Sequence, residues 1–471
     1  MAGATTTGAY DLVVVGCGMA GLAAAVRAGE LGLETAVLEK TPREKRGGQT
    51  RYVQSFRVPS ADCDLSPWGL TFDVPDYTVE AFYDDVMRQT SGRADPDLAR
   101  TLVEEAGPTV EWLTENGVEW SMEPLHVGYT VGRTFCDGED LVATLVERAE
   151  ELGATVFYDT EVRAIHETAD RRVAGVRAIS GDEPATFEAD AVVVAGGGYE
   201  SDPRKRTAYY GPDYDAMTVR GSPYNTGEAI DAALDAGARA AGQWSGAHMA
   251  LIDANSPEAE GGANRIDGYQ YCVLLNHEGE RFVDEGRDAR AHTYAEFGRR
   301  IFEQPGHEAF IVADAGMEAH LWPDGPSDPT YGETVADVLE RLGCEDPERG
   351  EETVEAYNAA CDPTGEFDPD ALDGNRAAGI DPPKSNWAIP LEEPPYVGYP
   401  VTGGITFAFG GVEIDAHGRV LDTRGRTIPG LYAAGNSTGG LFFDNYPGGT
   451  GLTNAAVFGR RAAEAVAEDG V

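Results

Sequence analysis

Near the amino terminus, Gly16-Cys17-Gly18-Met19-Ala20-Gly21 has the residue types and spacing to wrap a pyrophosphate. In such a GxGxxG run the first glycine makes a tight turn and the second lets a phosphate approach bare backbone. The third lets a helix and a strand come close together. Amide N–H groups at the start of that helix face the negative charge. Glu39 ends the next extended run, where a carboxylate can accept from ribose hydroxyls, and Lys40 follows it. A second glycine pair lies in Arg46-Gly47-Gly48-Gln49-Thr50-Arg51. Its N–H groups either wrap a further part of a large cofactor or belong to an ordinary exposed loop. Cys17 reads as a small residue inside the turn.

These groups require a particular set of elements. Asp11–Val15 reads as a short apolar strand of a parallel sheet, the small-residue run to about Leu31 as a helix, and Glu34–Leu38 as a second strand. Residues 78–118 read as helices that stop at Gly92 and Gly117, and 140–152 as an amphipathic helix. From Thr155 the period becomes two, which predicts a three-stranded meander over Val156–Ile165, Arg172–Ile179 and Ala185–Glu188. A separate buried strand, Asp190–Ala195, then ends in Gly196-Gly197-Gly198. That triple glycine lacks fingerprint spacing and marks the point where the chain leaves the sheet beside the cofactor. Residues 221–385 are richer in turns and aromatics and read as an inserted domain closed by Pro382-Pro383 and Pro394-Pro395. Sheet patterning then resumes, and a last helix follows Tyr446-Pro447-Gly448-Gly449-Thr450, starting at Gly451-Leu452.

The 471 residues are enough for two or three domains. Composition is that of a globular chain, 42% hydrophobic and 9% aromatic, but the net charge is −45. Only Lys40, Lys45, Lys205 and Lys384 are lysine among 36 basic residues. Acid spread everywhere with almost no lysine predicts a surface adapted to high salt, where screening tames self-repulsion. Nucleic acid and anionic membranes are poor partners for such a surface. Six scattered cysteines (17, 63, 136, 272, 344, 361) form no CxxC, and no histidine spacing suits a metal. This predicts no metal and a reducing cytoplasm. Residues 2–9 lack a basic leader segment, and the run 12–33 is broken by glycines, Arg27 and Glu30, so neither a signal peptide nor a membrane span is expected.

VVVGCGMAGLAAA with Glu39, RGGQTR, ADAVVVAGGG and IPGLYAAGN together resemble flavoproteins of the glutathione-reductase-type fold. That resemblance implies an α/β, Rossmann-like FAD-binding domain (residues 1–220 and 386–471) interrupted by an α+β capping domain (221–385). Within that fold, GERFVDEGRDARAHTYAEFGRR is similar to the fumarate reductase/succinate dehydrogenase flavoprotein family, nearest its tricarballylate dehydrogenase branch. The similarity covers nearly the full chain and is weakest over 52–135. It implies non-covalent FAD held by the two glycine loops, Val162, Gly196, Gly197, Gly435, Asn436, Gly451 and Leu452.

Oxidation of a C–C bond beside an acid needs a hydride acceptor, a base for the acidified α-proton, and donors for developing enolate charge. Arg290 matches the family's proton-transfer arginine, with Arg287 as an alternative one turn earlier if the stretch is helical. An arginine gives up a proton only when desolvated and tied to carboxylates, here Glu285 or Asp284. It can otherwise clamp a substrate carboxylate. His248 matches a substrate-binding histidine, the alternative being a core histidine. Tyr446 can donate to an oxyanion beside the N–H groups of Gly449 or Gly451, or simply belong to a helix-start turn.

Fumarate reductases carry a histidine just ahead of Thr-x-Gly-Gly-Val and an arginine before the final Gly-Gly. This chain has Thr406-Phe407-Ala408-Phe409 and Tyr446-Pro447 there, which speaks against simple fumarate or succinate chemistry. Asn445-Tyr446-Pro447-Gly448 is also similar to 3-ketosteroid dehydrogenases. The expectation is an FAD-dependent dehydrogenase of a small polycarboxylate such as tricarballylate. The alternatives are a 3-ketosteroid or other enone dehydrogenase, and a non-catalytic flavin electron-transfer module. With one nucleotide fingerprint no NAD(P) site is expected. Electrons would pass to an iron–sulfur or quinone-linked protein, or oxygen, in the cytoplasm or at the inner face of the membrane through that partner.

Overall fold

A computed structural model describes residues 5–53, 55–122, 131–259, 261–262, 264–362 and 365–470. The first residues of the polar amino-terminal run, expected to carry no leader, lie outside the described residues. Leu12, Val13 and Val14 have no polar alternation and are fully buried, so both faces of their strand need covering. The strand Thr5–Val15 accordingly pairs in parallel with Thr35–Leu38 on one side and Glu183–Val194 on the other. Thr155–Phe157 extends the parallel sheet at one edge, Thr427–Ala433 and Arg419–Leu421 at the other.

Helix Met19–Glu30 crosses this sheet, and its closeness depends on Gly21, where a Cβ would stand 2.0 Å from the Gly16 carbonyl oxygen. Helix Thr450–Glu468, rich in alanine, packs beside it. Thr78 caps helix Val79–Gln89, and Asp95 caps helix Pro96–Glu115.

The meander differs from the expected one in two places. Asp159 adopts a left-handed φ of 50°, which breaks the expected strand 156–165. Its first part becomes the parallel edge strand and its second, Thr160–Glu167, the first meander strand. Beyond it, Glu183–Val194 is one continuous strand rather than two. Its amino-terminal half alternates because one face is covered, and its carboxyl-terminal half is apolar throughout because it enters the sheet centre.

A second sheet has the order Ala240–Asp253, Tyr396–Val412, Glu308–Ala313, Val273–Asn276. Tyr396–Val412, 17 residues long, also pairs with Thr330–Gly332 and, in parallel, with Thr218–Val219. The second sheet therefore draws on residues either side of 221–385. Helix Arg290–Phe302 lies on it at close range: a Cβ on Gly298 would stand 2.2 Å from the Ala250 carbonyl oxygen. That approach holds the start of the helix over the strand bearing His248.

Among the described residues no helix is long and apolar enough to cross a membrane, no His/Cys/Asp/Glu group could hold a metal, and the six cysteines are unpaired.

Candidate active site

A cavity with about 1540 Å³ of empty space, part of it continuous with solvent, opens where the carboxyl ends of the parallel strands (Val15, Leu38, Ala195) meet the second sheet. This is the crevice in which open parallel sheets receive ligands. Gly16 and Gly18 line its inner end, and Gly18 precedes the first helix with no side chain to obstruct a ligand. Glu39 is buried and accepts from the Cys17 N–H at 3.0 Å and the Thr41 N–H at 2.9 Å, so it braces the turn it faces. Lys40 lines the wall beside it and donates to Thr226 Oγ1 at 2.7 Å and Glu228 Oε2 at 2.9 Å.

The second glycine loop folds back over the first. Thr50 Oγ1 accepts the Met19 N–H at 2.9 Å, which satisfies one of the free donors of the helix start. Gln49 bridges to the second sheet's approach, donating to the Arg220 carbonyl at 2.9 Å and accepting from the Ser222 N–H at 3.0 Å. Gly47, Gly48, Val162, Gly196 and Gly197 line the same cavity. So do Gly435 and Asn436 at one turn and Gly451 and Leu452 at the last helix. Gly21 does not; it sits inside the helix–strand contact.

At the other end stand His248, Arg290 and Tyr446. Two register shifts in the pairing of Ala240–Asp253 with Tyr396–Val412, between Gln243 and Ala247 and again after His248, set the His248 ring toward the cavity. The ring lies 4.9 Å from Tyr294, 4.8 Å from Tyr446 and 5.4 Å from Phe407, centroid to centroid. Neither ring nitrogen has a hydrogen-bond partner among the described residues. Burial, then the fields of Arg220, Arg290 and Arg265, push its pKa well below the ordinary value, so the imidazole is neutral.

Arg290 opens its helix, with Ala289 at the cap, so residues 281–289 are not helical and Arg287 is not one turn before it. Arg287 lies outside the cavity, paired with Glu296. The carboxylate tied to Arg290 is neither Glu285, which binds Arg281, nor Asp284, which binds Ser385. It is Asp267, which accepts from Arg290 Nε at 2.6 Å. The guanidinium rests 4.6 Å over the Tyr294 ring. Tyr294 in turn shares a short hydrogen bond with Tyr446, whose burial and tyrosine neighbour push its hydroxyl pKa well above ordinary.

Sequence reasoning missed Asp267, Arg265, Tyr294, Arg133 and Arg220. Arg265 stands 3.6 Å from Asp267. Arg133 reaches the cavity from strand Arg133–Phe135 and donates to Ser55 Oγ at 3.0 Å. Four arginines thus line this end against one nearby aspartate. Tyr294 had a usable signal, lying four residues after Arg290 and so on the same helix face.

The cavity fits a long ligand with an anionic middle. Glycine backbone and a helix start are the groups that can receive phosphates, and a second helix start, after Gly449, adds positive potential near Gly451.

A family model described as FAD binding domain matches residues 11–452. A urocanate reductase of Eggerthella lenta is 30% identical over 472 residues, covering 96% of this chain and 73% of that protein. Among solved structures, an open flavocytochrome c3 fumarate reductase superposes with a TM-score of 0.76 at 23% identity, covering 98% of this chain and 79% of that one. A 3-ketosteroid Δ1-dehydrogenase from Sterolibacterium denitrificans gives 0.77 at 22% identity, covering 98% and 99%.

Proposed function

The chain belongs to the FAD-binding-domain family and is an FAD-dependent oxidoreductase, and from that premise we propose that it dehydrogenates a small polycarboxylate of tricarballylate type to the α,β-unsaturated acid. The observation that carries the proposal is the Arg290–Asp267 pair in one cavity wall with His248 and Tyr446. Bound FAD supplies the hydride acceptor. Gly16, Gly18, Glu39, the 47–50 loop, Gly196, Gly197 and the 435–436 and 451–452 turns would hold it, without a covalent link.

Arg290 removes the α-proton. It does so as the neutral guanidine and becomes the guanidinium; the proton it must lose beforehand leaves by way of Asp267, which accepts from its Nε. His248, neutral and without a protein partner, presents a ring N–H to a substrate oxygen. Tyr446 donates its hydroxyl proton to the oxygen that gains enolate character. The surrounding Phe407 and Phe442 rings exclude water, which strengthens these contacts.

The likeness to a steroid dehydrogenase structure and the Tyr446-Pro447-Gly448 run favour an enone dehydrogenase as the second reading. The four arginines favour an anionic substrate over a neutral steroid. Electrons pass to an external iron–sulfur or quinone-linked acceptor, and the acidic surface suits a salt-rich cytoplasm. The test is anaerobic mixing of the oxidised holoenzyme with tricarballylate, succinate or a 3-ketosteroid. Tricarballylate is expected to bleach the visible flavin band; bleaching by the steroid alone overturns the proposal.

A further inference from the structure

We infer that Arg220 is the receptor for a second substrate carboxylate, one that takes no part in the reacting bond; this rests on the polycarboxylate reading above. The Arg220 backbone is fixed on both sides. Its N–H donates to the Ile405 carbonyl at 2.8 Å and its carbonyl accepts from Gln49 Nε2 at 2.9 Å. The side chain enters the cavity and is only 9% exposed.

Its guanidinium is poorly satisfied by the protein. Nη1 stands 3.4 Å from Thr406 Oγ1 and Nη2 3.4 Å from the Gly262 carbonyl, both at the long limit of a hydrogen bond. Nε has no hydrogen-bond partner, and no carboxylate forms an ion pair with Arg220 among the described residues.

Other buried arginines are treated differently. Arg57 is held by Asp85 at 2.6 Å and Arg281 by Glu285 at 2.5 Å. Arg206 is enclosed by three carbonyls, those of Tyr214, Glu200 and Asp215. Burying a guanidinium without an anion is costly, and a planar bidentate carboxylate is the group that matches its fork. Burial and the nearby Arg265 push the Arg220 pKa down to about 10, as expected of a cation awaiting a counter-charge.

The position also suits a separate grip. Arg290 is already engaged by Asp267, whereas Arg220 rises beside Ile405 and Thr406, ahead of the Phe407 that faces His248. A substrate lying along His248 would present its α-carbon to Arg290 and a carboxylate remote from the reacting bond to Arg220. A dicarboxylate fills one fewer of these positions than a tricarboxylate.

Two measurements test this. Tricarballylate and succinate are titrated calorimetrically into dithionite-reduced holoenzyme, which has no capacity to oxidise them. Arg220→Gln is expected to weaken tricarballylate binding by roughly 30-fold or more, succinate by less than about threefold, and to keep its FAD. Unchanged tricarballylate affinity, or loss of FAD from Arg220→Gln, overturns the inference, the latter assigning Arg220 to the cofactor.

Melting temperatures at constant ionic strength give a readout independent of that substrate. Arg220→Met holoenzyme is expected to melt above wild type, and added citrate or acetate to stabilise wild type more than the variant. If neither holds, Arg220 is not a carboxylate receptor. If both hold while wild type binds no tricarballylate, the tricarballylate reading falls and Arg220 stands as receptor for a different carboxylate.

Discussion

Arg290 Nε donates to Asp267 Oδ1 at 2.6 Å across 23 residues of chain, and this pair is the charged centre of the cavity's substrate end. Removing the guanidinium removes both the proposed proton acceptor and the partner of a buried aspartate. Arg290→Gln is expected to lower dye-linked turnover by on the order of 10³-fold or more, with FAD content unchanged. Asp267→Asn should cost roughly 10- to 100-fold, because it misplaces the guanidinium without deleting it. Arg287→Gln, outside the cavity, should stay within about twofold. Turnover retained by Arg290→Gln would move the proton-transfer role elsewhere.

Tyr446 is expected to act only as charge develops on the substrate oxygen. Tyr446→Phe should therefore lower kcat by roughly 10²-fold with little change in KM, the signature of a donor used in the transition state. Tyr294→Phe, which leaves the Tyr446 hydroxyl in place but unbraced, should cost less. Steady-state kinetics of both variants, including an equal loss in the two, would decide whether Tyr446 or the pair is the donor.

Glu200 gives a pH dependence that reports on folding. It is fully buried beside the cavity, accepts from Asn225 Nδ2 at 2.7 Å, and burial pushes its carboxyl up to about 7. Between its ordinary value and about 7 the folded state binds more protons than the unfolded one. Its contribution is thus fully present below the ordinary carboxylate range and is lost as pH rises through about 7. Glu200→Gln cannot ionise, so near about pH 8 it should be more stable than wild type by a few kcal/mol, and near about pH 4 comparable to it. Denaturant unfolding of both proteins at the two values checks the sign.

The acidic surface leads to a salt requirement. With a net charge of −45, self-repulsion opposes the compact state at low ionic strength. The melting temperature is expected to rise by on the order of 10 °C or more between about 0.1 and about 3 M KCl. A flat profile would mean that the surface is acidic without being adapted to salt.

The features legible in the sequence are those whose chemistry is local. Gly16, Gly18 and Gly21 announce a turn and a close contact by spacing alone, and Thr78 and Gly92 mark helix ends by residue type. Glu183–Val194 was harder, because one strand changes from alternating to continuous burial halfway along, and that change imitates a boundary. At the site, Arg290, His248 and Tyr446 were accessible through resemblance. Asp267 and Arg220 were not, because nothing near them in sequence says that one is buried against a guanidinium and the other lacks a carboxylate. Their roles arise from strands that meet only in the fold. Arg133 lay in the stretch of weakest similarity, and a single cation there carries no periodic signal.

The 17-residue strand Tyr396–Val412 has a consequence for dissecting the molecule. It is the shared middle plank between Ala240–Asp253 and Glu308–Ala313, yet it follows the polyproline stretches in sequence. A gene fragment cut at 221 and 385 would leave both flanking strands with an open row of unpaired amides and carbonyls, an invitation to stick to copies of itself. Swapping the segment that begins at 221 between related enzymes therefore requires carrying the chain through Val412, and a graft that stops earlier should come out of the cell as inclusion bodies.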